Sequence, residues 1–291
     1  MSYDTLFLSG AVTAAPVHIG HIQYLEEANI MPHIRTFIGV SSGAIVSLMA
    51  YLGMTSKQQA VAYREFSEKF RMEFNCIDSF ISDKGMDNGS CIFNVVHFIL
   101  KMFNLPETST FSMISSPDKK FVVCVSNLTT SSSENLSLDT TPDMPVAMAI
   151  RMSCSMPLIF TPVEYQGSFY IDGAIFNKCP MCKGVKGAIA CNINLGVLDV
   201  ETTNGDAMDV FGFLMMMSTS IIKHYLVNLA VQCSVMDGVR HCVNIKLNSR
   251  MFNTVDLFRQ NIDGISDYIQ LGYTETRRQL DSTTTHPVAD I

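Results

Sequence analysis

Gly39-Val40-Ser41-Ser42-Gly43 has the spacing G-x-S-x-G. That spacing suits a nucleophilic serine on a sharp turn between a strand and a helix. There the Ser41 hydroxyl stands clear of the backbone at the carboxyl end of a sheet, and Gly39 and Gly43 let strand and helix close around it. The helix that follows aims its N-terminus at the reacting carbonyl and helps to hold negative charge. The same pentapeptide also occurs as a plain structural turn, so its neighbours decide. A serine nucleophile needs a base. For a histidine-based triad the downstream candidates are His224, His241 and His286. His224 falls inside an expected helix and His286 in the polar tail, which leaves His241. The other candidate is a carboxylate. Tyr170-Ile-Asp172-Gly173-Ala174 places an aspartate at a strand end before a turn of small residues. A carboxylate is a weaker base than imidazole and must be oriented and partly desolvated to serve. The competing role for Asp172 is to cap its own turn.

The elements expected around these residues are those of an α/β fold. Thr5–Leu8 reads as a strand ending at Ser9-Gly10. Pro16 fits the first turn of a helix, where its missing N–H costs nothing, and Val17, Ile19, Ile22, Leu25 and Ile30 supply an apolar stripe. Ile34–Ile38 is a second strand, the G-x-S-x-G turn follows, and Ala44–Leu52 is the next helix. Strand, helix, strand, helix in this order predicts parallel strands with right-handed crossovers. Further on, Ser56–Phe70 and Met144–Met152 read as helices and Ile81–Ser90 as a surface loop. Phe121–Val125 and Phe169–Ile171 read as strands, with a turn at Ser131–Glu134. Ala188–Asn194 and Cys242–Leu247 are later strands flanking a helix over about 207–232, and a last helix runs near Ser266–Leu280. Residues 1–280 are expected to form one domain, with 281–291 as a frayed tail.

Four segments, in order, resemble blocks of the patatin-like phospholipase family. Ser9-Gly10 through His18-Ile-Gly20-His-Ile-Gln-Tyr-Leu25-Glu-Glu27 resembles the first, a glycine-rich loop and helix. Gly39–Gly43 resembles the nucleophile elbow. Ala149-Ile-Arg-Met-Ser153-Cys-Ser-Met-Pro157-Leu-Ile-Phe160-Thr-Pro162 resembles the segment before the catalytic aspartate. Asp172-Gly-Ala-Ile-Phe-Asn177-Lys-Cys-Pro180 resembles the D-G-G/A block. The similarity covers about residues 5–182. It implies a three-layer α/β/α fold with a mostly parallel central sheet. It also implies Ser41 as nucleophile, Asp172 as base, and hydrolysis of lipid acyl esters without metal or cofactor. In the family's first block a run of glycines offers backbone N–H groups to the oxyanion. Here Gly10 remains, Ala11 and Val12 occupy the next two glycine positions, and Ala14 stands at a basic one. A β-branched valine resists the positive φ that such loops use. The expected oxyanion donors are therefore Gly10, Ala11, Val12 and Ser42, with a poorer hole than the family pattern.

Composition narrows the classes further. The 291 residues include 47% hydrophobic and only 16% charged ones, enough for a large core. Net charge is −7 and no Lys/Arg run stands out, which leaves no electrostatic footprint for nucleic acid. Nine scattered cysteines show no pairing framework, as expected of reduced thiols inside a cell. Cys179-Pro-Met-Cys182 has C-x-x-C spacing but lacks both a second zinc half-site and a thioredoxin-like setting. The N-terminus shows no signal-peptide pattern. The uncharged stretch Val210–Ile222 is too short to span a bilayer and reads as a buried helix. A cytoplasmic protein that meets a membrane or lipid-droplet surface from outside is the expectation, drawn from the substrate class alone.

Overall fold

The computed structural model describes residues 3–69, 82–176, 185, 187–194, 238–247 and 264–284. The first half of the chain gives β1 (Thr5–Leu8), α1 (Pro16–Glu27), β2 (Thr36–Val40), α2 (Ser42–Tyr51), α3 (Ser56–Lys69), β3 (Gly85–Asp87) and α4 (Ser90–Met102). Then come β4 (Lys120–Asn127), β5 (Ser132–Ser137), α5 (Val146–Ser153), β6 (Leu158–Phe160), β7 (Val163–Tyr165), β8 (Ser168–Asp172), β9 (Ala188–Asn194), β10 (Val239–Lys246) and α6 (Ile265–Thr284). The central sheet has the order β10-β9-β1-β2-β4-β8-β7, with β5 also paired to β4. The run from β10 to β4 is parallel; β5, β7 and β8 join antiparallel.

Both faces of the sheet are buried, as expected of parallel strands in a three-layer fold. Alternation along each strand sends Leu6, Leu8, Phe37, Val123 and Val125 into the main core with α1 to α6. Phe7, Ile38, Val40, Val122, Cys124 and Ala190 form a second buried cluster on the opposite face. Two glycines let α1 and α6 cross at backbone distance. A Cβ on Gly20 would lie 1.9 Å from the Ile269 carbonyl oxygen, and one on Gly272 2.0 Å from that of Val17.

One detail of the topology brings two chain segments together. β5 pairs with Val122–Asn127 of β4 and so fills one edge of that strand. On the other edge β2 pairs with Lys120–Cys124, ending at Val40 opposite Cys124. The same edge continues with β8, antiparallel, which places Asp172 opposite Val125. β2 and β8 therefore meet end to end along β4. Ser41 leaves the tip of one strand where Asp172 ends the other.

The expected helices and long strands are present with small shifts at their ends. Three expectations differ among the described residues. The turn expected at Ser131–Glu134 falls at 128–131, where the Asn127 side chain accepts from the Thr130 N–H, and Ser132–Glu134 belong to β5. The last helix, α6, continues past residue 280 to Thr284. The segment 81–90 is not all loop. Within this expected loop Gly85–Asp87 pairs in parallel with Leu158–Phe160. Strands of three residues carry too few positions to show a period. Their pairing is held from outside by Arg151, only 2% exposed. Its guanidinium donates to the carbonyls of Asn88 (3.0 Å) and Thr161 (2.7 Å) and to the Ser155 hydroxyl. The expected helix at 207–232, the C-x-x-C pair, His224 and His286 lie outside the described residues. Cys91, Cys154 and Cys191 are free thiols. No described helix is long and apolar enough to cross a membrane.

Candidate active site

Ser41 sits between β2 and α2 with φ 53° and ψ −133°, a conformation an L-residue adopts only under strain. The glycines around it are required by space. A Cβ on Gly39 would approach the Ala44 Cα to 2.3 Å, and one on Gly43 would come within 2.3 Å of the Ser9 carbonyl oxygen. Real Cβ atoms do not come so close to backbone, so both positions admit only glycine. The Ser41 N–H is turned inward and donates to the Ser153 hydroxyl at 2.8 Å.

Asp172 ends β8, and its side chain is 3% exposed. Its two oxygens have different surroundings. Oδ1 accepts from the Ala174 N–H at 2.9 Å and caps the turn. Oδ2 is buried and has no partner in hydrogen-bonding geometry, yet the Ser41 hydroxyl is near enough to act on the carboxylate. Burial pushes the carboxyl up from 3.8 to about 6, and the Ser41 hydroxyl and the Ala174 amide pull it part of the way back. Gly173 is again required by space: a Cβ there would lie 2.1 Å from the Cys124 carbonyl oxygen. Cys154 lies beside the pair. Burial and then the Asp172 charge raise its thiol, so it stays protonated and is no rival nucleophile.

The loop after β1 closes the other side. Gly10 is so near Ser41 that a Cβ on it would lie 3.3 Å from the Ser41 Cβ and 3.9 Å from its Oγ. His18, fully buried, donates from Nε2 to the Ser9 carbonyl at 2.8 Å. The peptide is trans, so the Gly10 N–H points away from His18. That N–H has no partner among the described residues. The Ser42 N–H opens α2 and is one of the donors a helix start leaves unused. Ala11 differs from the sequence reading: its N–H is occupied by the Ser42 Oγ at 3.1 Å. Val12 does adopt the positive φ, 50°, within a 3-10 turn over Val12–Ala14. Of the four expected donors, Gly10 and Ser42 are open and Ala11 is engaged.

His241 does not join the site. It lies opposite Ile189, well before the carboxyl end of β10, and its Nδ1 is bonded to the Tyr3 hydroxyl at 2.5 Å. No cluster of metal-binding side chains occurs among the described residues. His18 and Ser153 were not singled out from the sequence, although both fall within the segments that carried the resemblance. Their role is in packing and backbone contacts, which spacing does not display.

The sequence profile of patatin-like phospholipases matches residues 6–181, more than half of the chain. The chain belongs to the patatin-like phospholipase family. It is 26% identical over 187 residues to a probable lipid hydrolase, 463L, of Invertebrate iridescent virus 6, covering 63% of this chain and 64% of that protein. It is 29% identical over 175 residues to an uncharacterized mimivirus protein, R571 of Acanthamoeba polyphaga mimivirus, covering 58% and 57%. The chain thus spans less than two thirds of the length of these curated relatives. Among solved structures, VipD of Legionella pneumophila aligns with a TM-score of 0.58 at 16% identity, over 97% of this chain and 67% of VipD. The type III effector ExoU aligns with a TM-score of 0.50 at 14% identity, over 98% and 54%. At these identities the two structures establish the patatin fold.

Proposed function

We propose that the protein is a lipid acyl hydrolase that works through a Ser41–Asp172 dyad and an acyl-serine intermediate. The observation that carries this reading is the buried carboxylate of Asp172 beside the strained Ser41, at the meeting point of β2 and β8. At neutral pH Asp172 is ionised and accepts the Ser41 proton as Oγ attacks the ester carbonyl. The carbonyl oxygen takes up negative charge and is received by the Gly10 and Ser42 N–H groups at the start of α2. Collapse expels the alcohol, which takes the proton back from Asp172. Water then attacks the acyl-serine with Asp172 again as base, and the fatty acid leaves. Family membership and the viral lipid hydrolase support lipid esters as the substrate class, met at a membrane or lipid-droplet surface. The test is fatty-acid release from mixed phospholipid vesicles with calcium chelated. Release by wild type and none by Ser41→Ala is the expected result; equal release by both overturns the dyad.

A second reading is a patatin scaffold that binds lipid or protein with little turnover. It is favoured by one observation, the Ala11 amide held by Ser42 Oγ. Losing one oxyanion donor costs about 100- to 1000-fold. Under this reading vesicles bind the folded protein and no fatty acid appears.

A further inference from the structure

We propose that Ser153 is the positioning residue of the Ser41–Asp172 dyad, a single buried side chain and carbonyl that lock nucleophile and base to the same strand. This rests on the dyad reading above. Ser153 ends α5 and is fully buried. A hydroxyl has one proton and two lone pairs, and here the proton and one lone pair are used on catalytic elements. Oγ donates to the Cys124 carbonyl at 2.6 Å, on the strand edge where β2 gives way to β8. It accepts from the Ser41 N–H at 2.8 Å. The Ser153 carbonyl in turn accepts from the Gly173 N–H at 3.3 Å, next to Asp172. Two residues on, the Ser155 carbonyl accepts from the Asp172 N–H itself at 2.9 Å.

The requirement for such a device follows from the backbone. Ser41 is held at φ 53°, a strained conformation that persists only where surroundings over-determine it. Its N–H faces the interior, away from water, so it needs an acceptor there. Ser153 Oγ is that acceptor. Without it Ser41 has a reason to relax, and its Oγ moves relative to Asp172. A misplacement of about 1 Å can cost about 100-fold in rate.

The experiment compares Ser153→Ala with wild type on a water-soluble p-nitrophenyl ester, with folding checked by circular dichroism. The expected result is a fall in kcat of about 10- to 100-fold with KM changed less than about twofold. Labelling of Ser41 by a fluorophosphonate slows by the same factor. The acid limb of the pH profile stays in place, because Asp172 remains buried. Ser109→Ala removes another buried hydroxyl, one that donates to the Pro106 carbonyl at 2.6 Å; it lowers stability without lowering kcat. If Ser153→Ala does not fold, Ser153→Cys takes the same readings, being matched in size but a poor acceptor. A folded Ser153 variant with wild-type kcat overturns the positioning role alone. Full activity in Ser41→Ala overturns the dyad, and this role with it.

Discussion

At the scale of the residue, Asp172, the proposed base, works against stability. Its pKa is about 6 in the folded protein against 3.8 as the ordinary value. A raised carboxyl binds more protons folded than unfolded, so folding is favoured below pH 4 and the benefit is lost as pH rises through 6. The burden at neutral pH is about 3 kcal/mol. Asp172→Asn should therefore melt higher than wild type at pH 8, with the gap closing at pH 4, by calorimetry. The same substitution should lower turnover by about 100- to 10,000-fold, the usual worth of a general base. In wild type the rate should fall as pH drops below about 6, read from initial velocities between pH 4 and 8. A limb at pH 7 or above would point to an imidazole instead. The sharp turn at Ser41, the strand end at Asp172 and the glycines beside them were legible in the sequence, because close backbone approach demands glycine at those positions. The occupied Ala11 amide was not, since it depends on where the Ser42 hydroxyl turns.

At the scale of the element, the site depends on how closely backbones approach. Gly43 faces the Ser9 carbonyl, and Gly272 faces that of Val17 on the far side of α1. The two contacts have different consequences. Gly43→Ala should push α2 off the β1 loop and remove activity along with stability. Gly272→Ala should cost about 1–3 kcal/mol of overpacking, seen in chemical denaturation, while kcat per folded molecule stays unchanged. Equal loss of kcat in both would mean that the α1–α6 crossing also sets the site. Long apolar runs such as Phe121–Val125 and the helical stripe after Pro16 announced their elements, because burial imposes a period on them. β3 and β6 did not: three-residue strands are specified by the Arg151 clamp and by each other, and such long-range partners leave no local pattern.

At the scale of the whole molecule, two buried histidines oppose Asp172 in acid. Burial lowers His18 to about 4, offset in part by its bond to Ser9, and lowers His21 to about 3, with the His18 charge adding to the effect. A lowered histidine binds fewer protons folded than unfolded. Stability is therefore full above about pH 6.5 and falls with pH below it, by about 2 kcal/mol per histidine at pH 5. Asp172 returns only about 1 kcal/mol over the same interval, so the histidines prevail. The protein should be less stable at pH 5 than at pH 7 by urea denaturation, and His21→Leu should flatten that slope. The order of strands around the central β4, and so the end-to-end meeting of β2 and β8, was beyond the sequence, because pairing partners far apart in the chain do not mark one another. That meeting is what the proposed dyad of Ser41 and Asp172 rests on. The most direct test is to treat wild type and Asp172→Asn with a fluorophosphonate at pH 7.5 and map the adduct by peptide mass spectrometry. A single adduct on Ser41, formed rapidly by wild type and at least about 100-fold more slowly by the variant, is the predicted result. An adduct elsewhere, or equal labelling of both proteins, would contradict it.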